Sequence, residues 1–328
     1  MSDKKSSDEN SFNIEEIKTK KKKKNKNVEI FYENDFEIFS PCIDVEGKLC
    51  VISDKGDIFR YKLVNIKKTQ ETNDFLSSSE EDEEEEIYFN SEESIIGVKK
   101  KKTKVEEEKY LSIDFTTKCL CSDNDFNFYV FNPITMGLMI IDKNKNIEFY
   151  ADEYEDKNFT GINNLVYDKN NNNLYLIDSG NINEENKSSL YYINKDIETM
   201  ISIDLQNTCY VNNVCIYQKD NINAVYVCLT KENKILRLIK KGNSYIKSVF
   251  LYINGCYSPL FICTNNINFI ILLKDLSEYE KKGKILEINS NAEIINSFFI
   301  EGNQFNGICY DYNINKYFFI EKNIIYIY

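Results

Sequence analysis

The chain has 328 residues, 42% hydrophobic and 13% aromatic, enough apolar side chain to bury a sizeable core in one large domain. Its net charge of −12 argues against nucleic acid as a partner, and the absence of His removes Ser-His and Cys-His nucleophile pairs, His metal ligands and the usual general base near neutral pH. Ten cysteines lie within strand-like runs of a long chain, which points to reduced thiols rather than a disulfide scaffold.

Residues 1–27 are charged and rich in Asn and Ser, and read as a disordered basic tail. The Lys run at 20–26 fits a nuclear import signal or a solvated tail in a Lys-rich sequence. The first eight residues lack the apolar core of a secretory signal, and no apolar run reaches the roughly 18 residues of a membrane span. A cytoplasmic protein is expected, with nuclear entry left open.

Ordered sequence begins at 28–32. From residue 49 a run of Tyr and branched aliphatics, a turn and a second such run recur about every 45 to 50 residues. The first runs lie at 49–53, 128–132, 174–178, 225–229, 269–273 and 316–320, and the second at 58–61, 138–141, 190–193, 235–238, 285–288 and 324–327. No stretch sustains an apolar 3.6-residue period, so strands are predicted throughout.

Six units of this size predict an all-β chain folded as a six-bladed β-propeller. The sixth unit stops after its third strand, and a strand over 28–32 supplies the fourth, closing the ring with an N-terminal strand and leaving no open sheet edge. The plan is a tail at 1–27 and a propeller at 28–328 that carries a low-complexity insertion at 65–109, with an acidic tract at 80–86 and one short strand expected near 87–89.

A short polar segment introduces each unit ahead of what reads as its innermost strand: Gly161-Ile162-Asn163-Asn164, Val211-Asn212-Asn213 and Phe305-Asn306-Gly307. With 173–180 and 234–238, these segments resemble six-bladed propellers of the gluconolactonase, senescence-marker and strictosidine-synthase-like group. That group repeats a Pro-Asn-Gly-hydrophobic turn, a hydrophobic strand ending in Asp and a strand with a central Arg. The resemblance is clearest over 159–328. In such a fold the entrances of the inner strands converge on one mouth, so Asn163, Asn212 and Asn306 are expected to face one another as ligand-binding residues. Amides there bind a polar ligand, offer oxygens to a hard cation or cap their own turns.

The resemblance further implies a divalent cation held by a first-blade Glu, a fourth-blade Asn and a fifth-blade Asp. Asn212 and Asn163 match amide positions, but Phe39 and Leu260 stand where the carboxylates fall, which leaves Glu37 and Asn212 as candidate metal ligands. Neutral amides alone hold calcium or zinc poorly and supply no general base. The expected function is therefore a non-enzymatic, monomeric binding or scaffold propeller that engages a protein or a small polar ligand through its top face or its insertion. The alternative is a divergent lactonase- or esterase-type hydrolase with an altered metal site, taking a divalent cation such as calcium or zinc. Asp178, Asp311 and Glu321 read as strand-end caps. Cys42, Cys121, Cys215, Cys263 and Cys309 recur at similar points of five units, as buried inner-strand positions do.

Overall fold

In the computed structural model residues 28–63, 105–179, 188–205, 208, 210–219, 222–242, 244–277 and 282–328 are described; the tail at 1–27 and the short strand expected near 87–89 lie outside them. Six four-stranded antiparallel sheets form the blades of a propeller. The first comprises Ile38–Ile43, Leu49–Ser53, Asp57–Leu63 and Val105–Ser112. The second comprises Leu120–Ser122, Phe128–Asn132, Gly137–Ile141 and Ile147–Ala151. Ile162–Asp168, Asn173–Asp178, Ser189–Asn194 and Thr199–Ile203 build the third, and Val211–Lys219, Ile222–Leu229, Lys234–Lys241 and Ser244–Tyr252 the fourth. The fifth is Tyr257–Thr264, Asn268–Asp275, Lys282–Asn289 and Ile294–Glu301. Phe305–Asp311, Lys316–Glu321 and Ile324–Ile327 make three strands of the sixth, and Glu29–Glu33 pairs with the last of them as its fourth. The ring closes as the sequence predicts.

The strand register differs from the sequence reading by one position. The apolar runs read as first and second in each unit are the second and third strands, and the segments read as polar introductions are themselves the innermost strands. The reason is physical. A second strand has neighbouring blades on both faces, so it is continuously apolar, as in the fully buried Leu49–Ser53 and Phe128–Asn132. An inner strand borders the axis, and in every blade but the second it carries a bulge, which breaks the alternation by which strands are recognised. Bulges at Asn163, Asn212, Leu260 and Asn306 mark equivalent points of blades three to six.

Val105–Lys109, counted within the insertion in the sequence reading, opens the fourth strand of blade one, where Val105 pairs with Leu63. That strand exposes Glu106 to Lys109 on its outer edge, and such charges discourage pairing with another chain.

The core is six apolar clusters, each shared by two adjacent blades. Tyr175, Ile177 and Leu190 of blade three, for example, pack on Val214, Val227 and Leu236 of blade four. The junction between blades six and one holds Phe31 of the closing strand against Phe318, ring centroids 5.0 Å apart. At the same junction Gly307, at φ +151°, admits the ring of Pro41: a Cβ there would lie 2.3 Å from the proline Cδ.

Turns from inner to second strand share one device. Buried Asp44, Asp123, Asp168 and Asp311 each end an inner strand and accept the N–H two residues on, from Glu46, Asp125, Asn170 and Asn313. Two of these carboxylates also hold cations, Asp44 the buried Arg60 and Asp123 the half-buried Lys195. Asp311 thus caps its strand as expected. Asp178 ends the second strand of blade three and accepts the N–H of Thr160 at 2.8 Å and its hydroxyl at 2.7 Å.

Candidate ligand-binding channel

Asn163, Asn212 and Asn306 occupy the bulges at the start of three inner strands, and their side-chain N–H groups reach sideways. Asn163 Nδ2 donates to the Val211 carbonyl at 3.3 Å, and Asn212 Nδ2 to the Leu260 carbonyl at 2.7 Å. Asn306 Nδ2 donates to the Ile38 carbonyl at 3.0 Å and to Glu37 Oε1 at 3.1 Å. Each amide ties its blade to the next one. A bulge leaves a residue out of the ladder, and an amide there satisfies the carbonyl across the gap. In blade one Ser40 does the same, its hydroxyl donating to the Lys118 carbonyl at 2.6 Å. Leu260 has no donor to offer and packs into the apolar cluster between blades five and six.

This mouth has a mixed electrostatic character. Lys118 lies 5.1 Å above the Phe39 ring, and Phe39 itself is buried in the cluster between blades one and two rather than turned to the axis. Glu37 is engaged with Asn306. Close by, burial raises the Glu321 carboxyl above its ordinary value, and the charge of Glu37 adds to the shift. A carboxyl whose folded pKa exceeds its unfolded value holds its proton longer in the native state, so stability falls as pH rises from about 4.3 through the folded value. Glu321→Gln is therefore expected to flatten that decline and to be no less stable than the unmodified protein at pH 7. Thermal melts at pH 4 and 7 check this, and an unchanged pH slope would count against it.

Beyond the bulges a cavity of about 500 Å³ occupies the axis. All six inner strands line it, starting after the three asparagines at Asn164, Asn213 and Gly307. One rung of its wall is nearly uniform: Cys42, Cys121, Val166, Cys215, Cys263 and Cys309, from blades one to six in order. The register supports the equivalence: Cys42, Cys121, Val166, Cys215 and Cys309 each pair with the residue three before the end of the second strand, and Cys263, like Val166, Cys215 and Cys309, stands three residues after the bulge of its own strand. The described cysteines are free thiols, and desolvation pushes Cys263 up to about 12.

Polar residues gather again at the far end of the inner strands. Gln218 Nε2 donates to both Asp168 oxygens at 2.9 and 2.8 Å, the Gln218 N–H donates to Asn266 Oδ1 at 2.9 Å, and Asn266 Nδ2 donates to the Tyr312 hydroxyl at 3.2 Å. These side chains link blades three to six in sequence. The sequence reading missed them, although the Asp that recurs two residues after the thiol rung in Asp44, Asp123 and Asp311, and after Val166 in Asp168, was a visible marker of that end.

Several solved structures share this architecture at low identity. A gluconolactonase from Xanthomonas campestris superposes with a TM-score of 0.64 at 10% identity, covering 92% of this chain and 88% of that one. Regucalcin from Agrobacterium tumefaciens, described as a calcium-binding protein, gives 0.60 at 10% identity over 89% of each chain. Virginiamycin B lyase from Staphylococcus aureus gives 0.52 at 13% identity over 92% and 98%. The solved neighbours include gluconolactonase- and regucalcin-type propellers, and at these identities they establish the fold alone. No protein-family model and no curated protein sequence matches the chain.

A divalent cation of the kind the resemblance implies does not fit the donors present. The equivalent rim positions bring Leu260, which offers no side-chain oxygen, the neutral amide oxygens of Asn163 and Asn212, too weak alone to hold a hard dication, and Lys118, whose charge repels a cation. Among the described residues no group of three or more Cys, Asp or Glu side chains is arranged to hold a metal ion. Nor is any helix among them long and apolar enough to cross a membrane.

Proposed function

We propose that this propeller binds a small molecule in its axial channel. The observation that carries this reading is the cavity of about 500 Å³ enclosed by all six inner strands, within the range of about 300–1,000 Å³ typical of small-molecule sites. The amide oxygens of Asn163, Asn212 and Asn306 are the polar groups this reading assigns to a ligand at their mouth. The gluconolactonase-type neighbours favour small-molecule chemistry over the protein-scaffold role, and they support a second reading, a divergent lactone hydrolase. Against turnover stand Leu260 and the buried Phe39 at the positions from which related lactonases draw carboxylates.

One experiment separates the two readings. Hydrolysis of glucono-δ-lactone by the purified full chain, with and without calcium or zinc, is expected to match the spontaneous rate, and calcium is expected to leave the melting temperature unchanged. Leu260→Asp supplies an anionic oxygen beside Asn212 and should confer a calcium-dependent rise in melting temperature that the unmodified protein lacks. Metal-dependent turnover by the unmodified chain would replace the binding reading with the hydrolase, with Glu37 as the nearest carboxylate to Asn306.

A further inference from the structure

The channel wall differs in character from the mouth formed by the asparagines. Its middle rung carries cysteine in five of six blades, half-buried at Cys42, Cys263 and Cys309 and buried against the neighbouring blade at Cys121 and Cys215, and the sixth contributes Val166. Free thiols with raised pKa stay protonated near neutral pH, so this rung is a neutral, polarisable belt, suited to the face or edge of an aromatic ring. Phe261 and Tyr310 extend the apolar wall. The charges at the far end are mixed: buried Asp168 and Asp311 are bound up in their turns and, for Asp168, by Gln218, and Lys169 of the same lining offsets them, so neither an anion nor a cation is favoured there. What that end does offer is hydrogen bonding centred on the Tyr312 hydroxyl, which accepts from Asn266 and keeps its own O–H to donate, beside the Asn266 and Gln218 amides that are engaged with Tyr312, Asp168 and Asn170. An inner strand such as Ile162–Asp168 separates this end from the asparagine bulge by about 16 Å, at about 3.3 Å per residue.

From this arrangement we propose that the axial cavity is a binding site for an uncharged aromatic molecule that carries hydrogen-bonding groups at one end. The ring lies against the thiol belt, and the polar end meets the Gln218–Asn266–Tyr312 network, at the end of the channel opposite Asn163, Asn212 and Asn306. The proposal rests on the small-molecule reading and adds to it a ligand class and a place.

The test uses the full chain and the neutral dye Nile red, with the anionic dye 8-anilinonaphthalene-1-sulfonate as its counterpart. Nile red is expected to bind saturably at one site, at least tenfold more tightly than the anionic dye. Because Cys42, Cys263 and Cys309 are half-buried and line the cavity, bound Nile red should slow their modification by N-ethylmaleimide several-fold, as read by peptide mass spectrometry, while the exposed Cys256 reacts as before. Cys309→Phe fills the belt and should abolish dye binding in a protein that still melts cooperatively. If that variant does not fold, the protection measurement on the unmodified chain decides alone. Absence of saturable Nile red binding would overturn the proposal. So would saturable binding that neither protects these thiols nor responds to a folded Cys309→Phe, and this second result would leave the small-molecule reading standing with its site elsewhere.

Discussion

A chain lacking residues 1–34 should be insoluble, whereas one lacking 1–24 should melt as the full chain does. The longer deletion removes Glu29–Glu33, the strand paired with Ile324–Ile327 on its outer side. It takes away Val28 and Phe31, both buried, each worth about 1.5–3 kcal/mol of apolar burial, and uncovers Phe318, Ile325 and Tyr326 beneath them. It also converts a closed ring into one with a free sheet edge, a template for aggregation. Against a total stability of about 5–15 kcal/mol, these losses are decisive. The milder Phe31→Ala should cost about 3–5 kcal/mol in a soluble protein. A soluble 35–328 chain with a cooperative melt would refute the closure.

Arg60→Ala is expected to lower the melting temperature by about 10 °C. Arg60 is 4% exposed; its Nε donates to Asp44 at 2.8 Å, and its NH2 lies 2.7 Å from both Asp44 and Glu46. The guanidinium also lies over the rings of Phe126, at 4.9 Å, and Tyr110, at 5.2 Å. Removing the cation strands a buried carboxylate that must still cap its turn, and breaking such a pair costs about 3–5 kcal/mol. A melting temperature falls by roughly 2–4 °C per kcal/mol in a domain of 150–250 residues, which sets the expected size. In the double variant with Asp44→Asn the loss should be smaller than the sum of the two single losses, since the stranded charge is gone. Additive losses would show that the pair is not coupled.

Blade number and ring closure were legible because second and third strands such as Leu174 to Asp178 and Leu190 to Ile193 are buried on both faces and so spell out continuous apolar runs. Inner strands were not, because half of their side chains answer to the channel: Tyr257-Ser258-Pro259-Leu260, with a proline and a bulge, carries no alternation that marks it as a strand. The asparagines were found at equivalent points, as their recurrence promised, but not that their N–H groups reach the neighbouring blade. That depends on which carbonyl a bulge leaves uncovered, a matter of spacing between strands about 48 residues apart. The thiol rung was visible as a recurrence and read as packing. Its place on a cavity wall became apparent only once the six strands were set side by side.

Closure through Glu29–Glu33 also orders events during synthesis. The strand that seals the ring is made about 290 residues ahead of its partner Ile324–Ile327. Blades one to five can each pair their strands as they leave the ribosome, but Phe31 has no Phe318 to pack on until the sixth blade follows them. At synthesis rates of about 5–20 residues per second, the nascent protein carries an unsealed ring with a bare apolar edge for tens of seconds. A chaperone that shields an extended N-terminal segment would have its greatest effect in that interval, on yield rather than on the stability of the finished propeller.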